Sequence, residues 1–187
     1  MAVIPSRNSF IMTGGRGHSK GQQLSVLYDA NNNIWKNETD NDLRDFYDSH
    51  TAVAKNDLVY VGGGRRIVGD NLTVDEIFPQ SIRILRFDAR YWRSPKATLS
   101  RLSIDIRLHH KSVLGSDGKT IYYVGGMYTA PPGPVSYDDY RYEYVPMNNI
   151  LTFDTDTETW NNISTKGLIP SGRIDHSLTL TRWVFVP

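Results

Sequence analysis

The sequence of 187 residues contains no cysteine. It can therefore form no disulfide, no thiolate nucleophile and no cysteine-ligated metal site. Long apolar runs are missing as well, since no stretch approaches the about 18 residues that a membrane-spanning helix requires. Residues 1–10 also lack the apolar segment of a signal peptide. We therefore expect neither a membrane span nor a secretory leader in this sequence.

An excess of charge of one sign is also absent. Lysine and arginine total 21 against 20 for aspartate and glutamate, which gives a formal net charge of +1. Such a balance provides no general attraction to a phosphate backbone. Nucleic acid is therefore not an expected partner.

The motifs of common catalytic and cofactor sites are missing too. The sequence has no G-x-S-x-G, no P-loop and no dinucleotide motif, and the glycines at 62–64 open no helical pattern. The pair Asp138-Asp139 falls short of the six or more oxygens that calcium takes. His109 and His110 are neighbours, which would face opposite sides of a strand. We expect no metal, no cofactor and no catalytic residue.

The sequence does contain an internal repeat. An apolar run that ends in two glycines occurs at 10–15, at 58–63 and at 121–126. Each copy is followed by a second apolar run, an aromatic residue, a polar turn and a tryptophan, and a histidine opens each unit after the first. The repeated positions are Gly14, Gly15, Trp35, His50, Gly62, Gly63, Trp92, His110, Gly125, Gly126, Trp160 and His176. Short β-branched and aromatic runs between Gly, Asn and Asp turns predict an antiparallel meander of four strands per unit.

These residues closely resemble the kelch repeat of the β-propellers, within the superfamily that includes galactose oxidase. The resemblance implies an all-β propeller whose four-stranded blades, with strands a to d, stack around an axis. Recurrence of the histidines at one phase of the repeat favours a structural role, such as bonding to the backbone of the next blade. The copper oxidases of this superfamily use a Tyr–Cys crosslink, which this sequence cannot form.

The repeat sets the expected blade boundaries. The chain reads as one kelch segment over 1–187, with about three and a half blades. Blade one is expected to be partial, without its strand a; the expected spans are 8–35 for blade one, about 44–92 for blade two, about 105–160 for blade three and 173–187 for the start of blade four. Three explanations stay open: a fragment, an open propeller completed by another chain with self-association, or a small ring closed by the terminal strands.

Long b–c and d–a loops are predicted on one face of the blades. The b–c loops span about 64–80 and 127–147, and the latter is rich in proline and tyrosine. The candidate binding residues are Arg65, Arg66, Tyr128, Tyr137, Asp138, Tyr140, Arg141 and Tyr142. Tyrosines on a rigid scaffold typify recognition loops. A surface insertion packed on the neighbouring blade remains the alternative for the tyrosines, and loose surface side chains for the arginines.

The pattern therefore predicts a non-catalytic scaffold that binds a protein through this face. The alternative is an extracellular or cell-surface carbohydrate-binding or oxidase-like kelch domain whose catalytic residues lie outside this segment. A third interpretation gives the blades only a supporting role. Candidate glycosylation sequons at Asn37, Asn71 and Asn162 fall in the predicted b–c or d–a loops. They favour an extracellular location or a membrane-protein ectodomain, with the cytoplasm as the alternative.

Overall fold

The described part of the chain consists almost entirely of short antiparallel strands. The computed structural model describes residues 1–14, 25–37, 46–67, 82–86, 91–93, 107–129 and 142–181. The strands are β1 (Ala2–Ile4), β2 (Ser9–Thr13), β3 (Ser25–Asp29), β4 (Ile34–Asn37), β5 (Phe46–Asp48), β6 (Thr51–Lys55), β7 (Leu58–Gly62), β8 (Arg65–Ile67), β9 (Arg83–Arg86), β10 (Tyr91–Arg93), β11 (Arg107–Leu108), β12 (Lys111–Leu114), β13 (Thr120–Val124), β14 (Met127–Thr129), β15 (Tyr142–Tyr144), β16 (Asn149–Asp154) and β17 (Thr159–Ser164). A single 3₁₀ turn, Pro5–Arg7, is the helical element of these ranges.

Twelve of these strands form three four-stranded sheets, one per blade. Their strand orders are β1-β2-β3-β4, β6-β7-β9-β10 and β12-β13-β16-β17, and all neighbours are antiparallel. Within each sheet the strands follow in sequence order from a to d. The all-β, kelch-type arrangement of meander blades predicted from the repeat is therefore confirmed.

The expectation that blade one lacks strand a is wrong. Residues Ala2–Ile4 form β1 and pair with β2, with Val3 opposite Phe10. This strand escaped notice because it has only three residues and no histidine precedes it. The 3₁₀ turn with Pro5 at its first position then leads directly into β2.

Side-chain alternation along each strand produces two cores between successive blades. Ile4 and Ile11 of blade one pack in a cluster with Val59 of blade two. Tyr60 of blade two, next along the same strand, packs in the other cluster with Phe153 of blade three. Blade two is thus buried on both faces, and that is why its strand b reads as a continuous apolar run rather than as an alternating one.

The strands a lie on the inside of the arrangement. β6 contacts both β1 and β12, which are the equivalent strands of the neighbouring blades. The residues that lead into these strands therefore line the inner rim of one face. This is the face to which the b–c and d–a segments belong.

Two small sheets extend this face beyond the blades. β5 pairs with β8, and β11 pairs with β14, which in turn pairs with β15. The sequence placed β8, β14 and β15 in b–c loops, so those loop boundaries are corrected. The runs of only two or three residues carry too little periodicity to be recognised as strands.

The start of a fourth blade, expected from 173 onward, is not a strand in the described residues. Residues 165–181 are irregular throughout, and 182–187 lie outside the described part. The irregular segment still bonds to blade three, since the amide of Gly126 donates to the carbonyl oxygen of Arg173 over 2.9 Å.

Candidate functional site

The glycine pairs form the joints between successive blades. Gly63 has a φ of +66° and packs against the imidazole of His110 from blade three, and the amide of Gly64 donates to the carbonyl oxygen of Arg107 over 3.0 Å. A Cβ at Gly63 would overlap the ring of His110 and would lie 2.7 Å from that carbonyl oxygen. Only glycine combines this backbone conformation with such a close approach.

The same joint recurs one blade later. Gly125 has a φ of +65°, and a Cβ placed there would lie 2.7 Å from Cε1 of His176 and 2.9 Å from the carbonyl oxygen of Arg173. The amide of Gly126 donates to that carbonyl oxygen. The two joints therefore make equivalent contacts with the following Arg-x-x-His segment.

This equivalence corrects the glycine register in blade two. The pair that matches Gly125-Gly126 is Gly63-Gly64, one residue later than the Gly62-Gly63 assigned from the sequence, where three consecutive glycines left the pair ambiguous. Glycine is needed at position 62 for a different reason, because a Cβ there would lie 2.7 Å from the Tyr123 ring of blade three. In blade one, Gly14 adopts the same conformation with a φ of +58°, and Gly15 lies outside the described residues.

The repeated histidines face the preceding blade. His50 Nε2 lies 2.8 Å from Oγ1 of Thr13, a side chain of blade one. His110 is buried at the end of strand b of blade two, and burial lowers its pKa to about 3, with the charge of Arg107 as a further cause. His110 is therefore neutral at neutral pH. Burial also raises the pKa of the Tyr123 hydroxyl.

A buried arginine fixes the base of the third blade's b–c segment. Arg107 donates to the carbonyl oxygens of Tyr123 (3.2 Å) and Asn149 (3.1 Å) and to Oδ1 of Asn149 (2.8 Å). Its guanidinium carbon lies 6.0 Å from the centre of the Tyr128 ring, and Nδ2 of Asn149 donates to the Tyr128 hydroxyl over 3.4 Å. These contacts hold β11 and β14 against blade three.

A hydrogen-bonded row at the inner rim runs from blade two through blade three to the irregular segment 165–181. It consists of the residues that directly precede the repeated histidines, namely Ser49, His109 and Asp175. Oγ of Ser49 lies 3.0 Å from Nε2 of His109, and Nδ1 of His109 lies 3.2 Å from Oδ1 of Asp175. Sequence reasoning missed this row, although the fixed offset from each histidine was a signal that could have found it.

The predicted binding residues are only partly brought together. Arg65 and Arg66 lie in β8, opposite Asp48 and Tyr47, and so belong to a strand and not to a free loop. Tyr128 lies in β14 and is half-buried, and Tyr142 lies opposite Thr129 in β15. The remaining candidates, Tyr137, Asp138, Tyr140 and Arg141, lie outside the described residues.

The tryptophans differ in their burial. Trp160 packs against the rings of Tyr123 and Phe153, with centroids 5.3 and 5.0 Å away, and Trp92 packs against the core between blades one and two. Trp35 is 55% exposed, although it contacts Phe10 within its own blade. Strand d thus turns its tryptophan toward the preceding blade, and in the described residues no such blade covers Trp35.

Two of the three sequons are described. Asn37 is the last residue of β4 and Asn162 lies inside β17, and both are exposed. The sequence placed both asparagines in d–a loops, whereas strand d extends past its tryptophan because it pairs along the whole of strand c. Asn71 lies outside the described residues.

The described ranges contain neither a cluster of metal-ligating side chains nor a membrane-spanning helix. No three His, Asp or Glu side chains there come together as a metal site. No helix in those ranges is long and apolar enough to cross a membrane.

A comparison with protein-family models agrees with this geometry, whereas a comparison with curated proteins finds no match. The family model described as the KLHDC2/KLHL20/DRC7 Kelch-repeats domain matches residues 1–186. Kelch-repeat domains generally mediate protein–protein interaction as non-catalytic scaffolds. The match spans nearly the whole sequence and coincides with three meander blades joined by glycine–histidine contacts, so the chain belongs to this family of Kelch-repeat domains.

Proposed function

We propose that the chain is a protein-interaction scaffold and that its partner binds the face carrying the b–c and d–a segments. The principal contact is the hairpin of β14 and β15 together with residues 130–141, which join the two strands in sequence and include Tyr137 and Tyr140. The observation that carries this proposal is the fixed base of the hairpin. Arg107 and Asn149 tie it to blade three, while Tyr144 in β15 is 59% exposed.

A fixed base favours binding because it lowers the entropy that the partner's arrival would cost. Tyr128 contributes by bridging the blade and the hairpin through its hydroxyl and its ring. Residues projecting from β14 and β15 are thereby presented from a rigid scaffold, as in other recognition loops.

The opposite face offers less adaptable surface. Its turns are tight and internally bonded: Asp117 accepts from the amides of Lys119 and Thr120. Asp154 accepts in the same way from the amides of Asp156 and Thr157. Such Asx-type turns satisfy their own polar groups and leave few of them for a partner.

Site-specific crosslinking would test which face binds. A photo-crosslinking residue would replace Tyr140 in one protein and the exposed Ser116, in an a–b turn, in a matched control. We expect a discrete crosslinked protein from position 140 and none from position 116. Equal crosslinking from both positions would contradict the assignment of the face.

The identified partner then allows a quantitative test. Replacing Tyr137, Tyr140 and Tyr142 together by serine should weaken its binding at least about 100-fold, since aromatic residues dominate interface energies. The thermal unfolding midpoint should stay unchanged. Unchanged affinity would remove the hairpin from the proposal, and a partner that proves to be a glycan would favour the carbohydrate-binding alternative.

A further inference from the structure

The row of Ser49, His109 and Asp175 has the connectivity of a catalytic triad. The hydroxyl meets Nε2 of the imidazole at 3.0 Å, and the carboxylate meets Nδ1 of the same ring at 3.2 Å. We infer that these residues form a Ser–His–Asp site that hydrolyses carboxylic esters, with Ser49 as nucleophile, His109 as general base and Asp175 as positioning residue.

The hydrogen bonds define the tautomer that this chemistry requires. A carboxylate only accepts, so in the neutral form of His109 the proton that matches this contact lies on Nδ1 and points to Asp175. Nε2 is then left as an acceptor, and the hydroxyl of Ser49 donates to it. His109 is therefore arranged to remove the proton from Ser49.

The backbone holds the three side chains in place. Ser49, His109 and Asp175 all lie in the left-handed region, with φ values of 60°, 55° and 50°. The amide of His109 donates to the carbonyl oxygen of Ser49 over 3.0 Å, and the amide of Asp175 donates to that of His109 over 3.4 Å. The same position of each unit is thus held in a conformation that L-residues seldom adopt.

The pattern of the repeat separates these positions from purely structural ones. One residue further along, all three units carry histidine, namely His50, His110 and His176. At the preceding position the units carry a hydroxyl, an imidazole and a carboxylate. A single catalytic site needs three different groups, whereas a structural joint repeats the same group.

The row is open to a substrate. The side chain of His109 is 36% exposed and that of Asp175 is 65% exposed, at the inner rim of the face that bears the b–c segments. The amides of His109 and Asp175 already bond to the neighbouring blade, so they do not serve as donors to a reacting carbonyl oxygen. We therefore assign the site to esters with good leaving groups, which depend least on such donors.

The reaction balances with water as the only co-reactant. Oγ of Ser49 bonds to the acyl carbon as its proton passes to Nε2 of His109, and the bond from that carbon to the leaving oxygen then breaks. The leaving oxygen takes the proton from His109 and departs as the alcohol. Water next bonds to the acyl carbon and gives a proton to His109, the bond to Ser49 breaks, and Ser49 recovers its proton. The acid is released.

The test uses the full chain with 4-nitrophenyl acetate as substrate and a fluorophosphonate as covalent probe. We expect saturable hydrolysis and a label on Ser49, located by peptide mass spectrometry. Ser49→Ala and His109→Gln should each lower kcat/KM at least about 100-fold. Asp175→Asn should lower kcat with KM unchanged, and Asp175→Glu should restore part of it.

Ser112 provides the matched control, because its hydroxyl also bonds across a blade interface, to Oγ1 of Thr51 at 2.6 Å, but to no imidazole. Ser112→Ala should hydrolyse at the wild-type rate, and Ser112 should stay unlabelled. Labelling of wild-type protein keeps the test valid even if Ser49→Ala fails to fold. The inference is overturned if wild type is no faster than His109→Gln, if Ser49→Ala remains active, or if the probe labels a different serine.

Discussion

Replacing Gly63 by alanine tests whether the glycine pairs hold the blades together by close contact or merely permit a turn. Gly63 has a φ of +66° and packs against His110 and the carbonyl oxygen of Arg107 in the next blade. Gly118 has the same φ of +66°, but a Cβ added there would meet nothing within 4 Å. Alanine at the two positions therefore imposes the same backbone strain and differs only in the contacts of the new methyl group.

The two costs can be worked out separately. A left-handed conformation costs an L-residue about 1–2 kcal/mol, and the reduced entropy of the unfolded chain returns about 0.4–1 kcal/mol. Gly118→Ala should therefore destabilise by about 1 kcal/mol. Gly63→Ala adds a clash with His110 and with a backbone oxygen 2.7 Å away, worth about 1–3 kcal/mol more. We expect a total of about 3 kcal/mol.

Equilibrium urea denaturation of both variants measures the difference, provided that the slopes with denaturant agree. Removing the ring in a Gly63→Ala, His110→Ala double variant should recover about 1 kcal/mol of the excess, while the clash with the Arg107 carbonyl oxygen persists. Equal losses from Gly63→Ala and Gly118→Ala would refute the account of the joint as a close contact. No coupling in the double variant would remove His110 from it.

Three further perturbations test other parts of the blades. Because burial lowers the pKa of His110 from 6.5 to about 3, the unfolded chain gains a proton as the pH falls below about 6.5 and the folded chain gains it only near pH 3. Stability should therefore fall across this window, by about 2 kcal/mol at pH 5, and denaturation of His110→Gln at pH 7 and pH 5 should lack this difference. Arg107→Met removes a buried charge that makes three hydrogen bonds. It should lower the free energy of unfolding, measured by denaturant titration, by about 3 kcal/mol. A decrease below about 1 kcal/mol would show that these hydrogen bonds contribute little to stability. Trp160→Ala should cost about 3 kcal/mol, and Trp35→Ala less than half as much, because Trp35 is 55% exposed. Equal costs would mean that Trp35 is covered in solution.

The blades could be predicted from the sequence because the repeated residues of each blade make contacts with the neighbouring blade. A glycine pair, a tryptophan and a histidine recur in the same order, and the glycine–histidine contacts at Gly63 and Gly125 are equivalent. A single copy of such a motif would have been weak, but copies in phase are required by the stacking of identical sheets. The family and the strand order followed from this periodicity.

The parts that the sequence missed are those where periodicity is too short or absent. Strand β1 has three residues and β11 has two, too few to display a period of two. The run of glycines at 62–64 hid the register of its joint, which only the contacts with blade three resolve. The exposure of Trp35 depends on whether a blade precedes it, and that is a property of the neighbour and not of the local sequence.

Positions that repeat and positions that vary carry different information in such a chain. The histidines recur because every joint presents the same glycine and the same end of strand b, so their chemistry is committed to packing, as the neutral state of His110 shows. The preceding residues bond to one another along the rim and differ in type from unit to unit. A hydroxyl, an imidazole and a carboxylate can therefore coexist there without disturbing any joint. In a repeat protein of this kind, chemistry is best sought at a position that shares its geometry with its equivalents and differs from them in residue type.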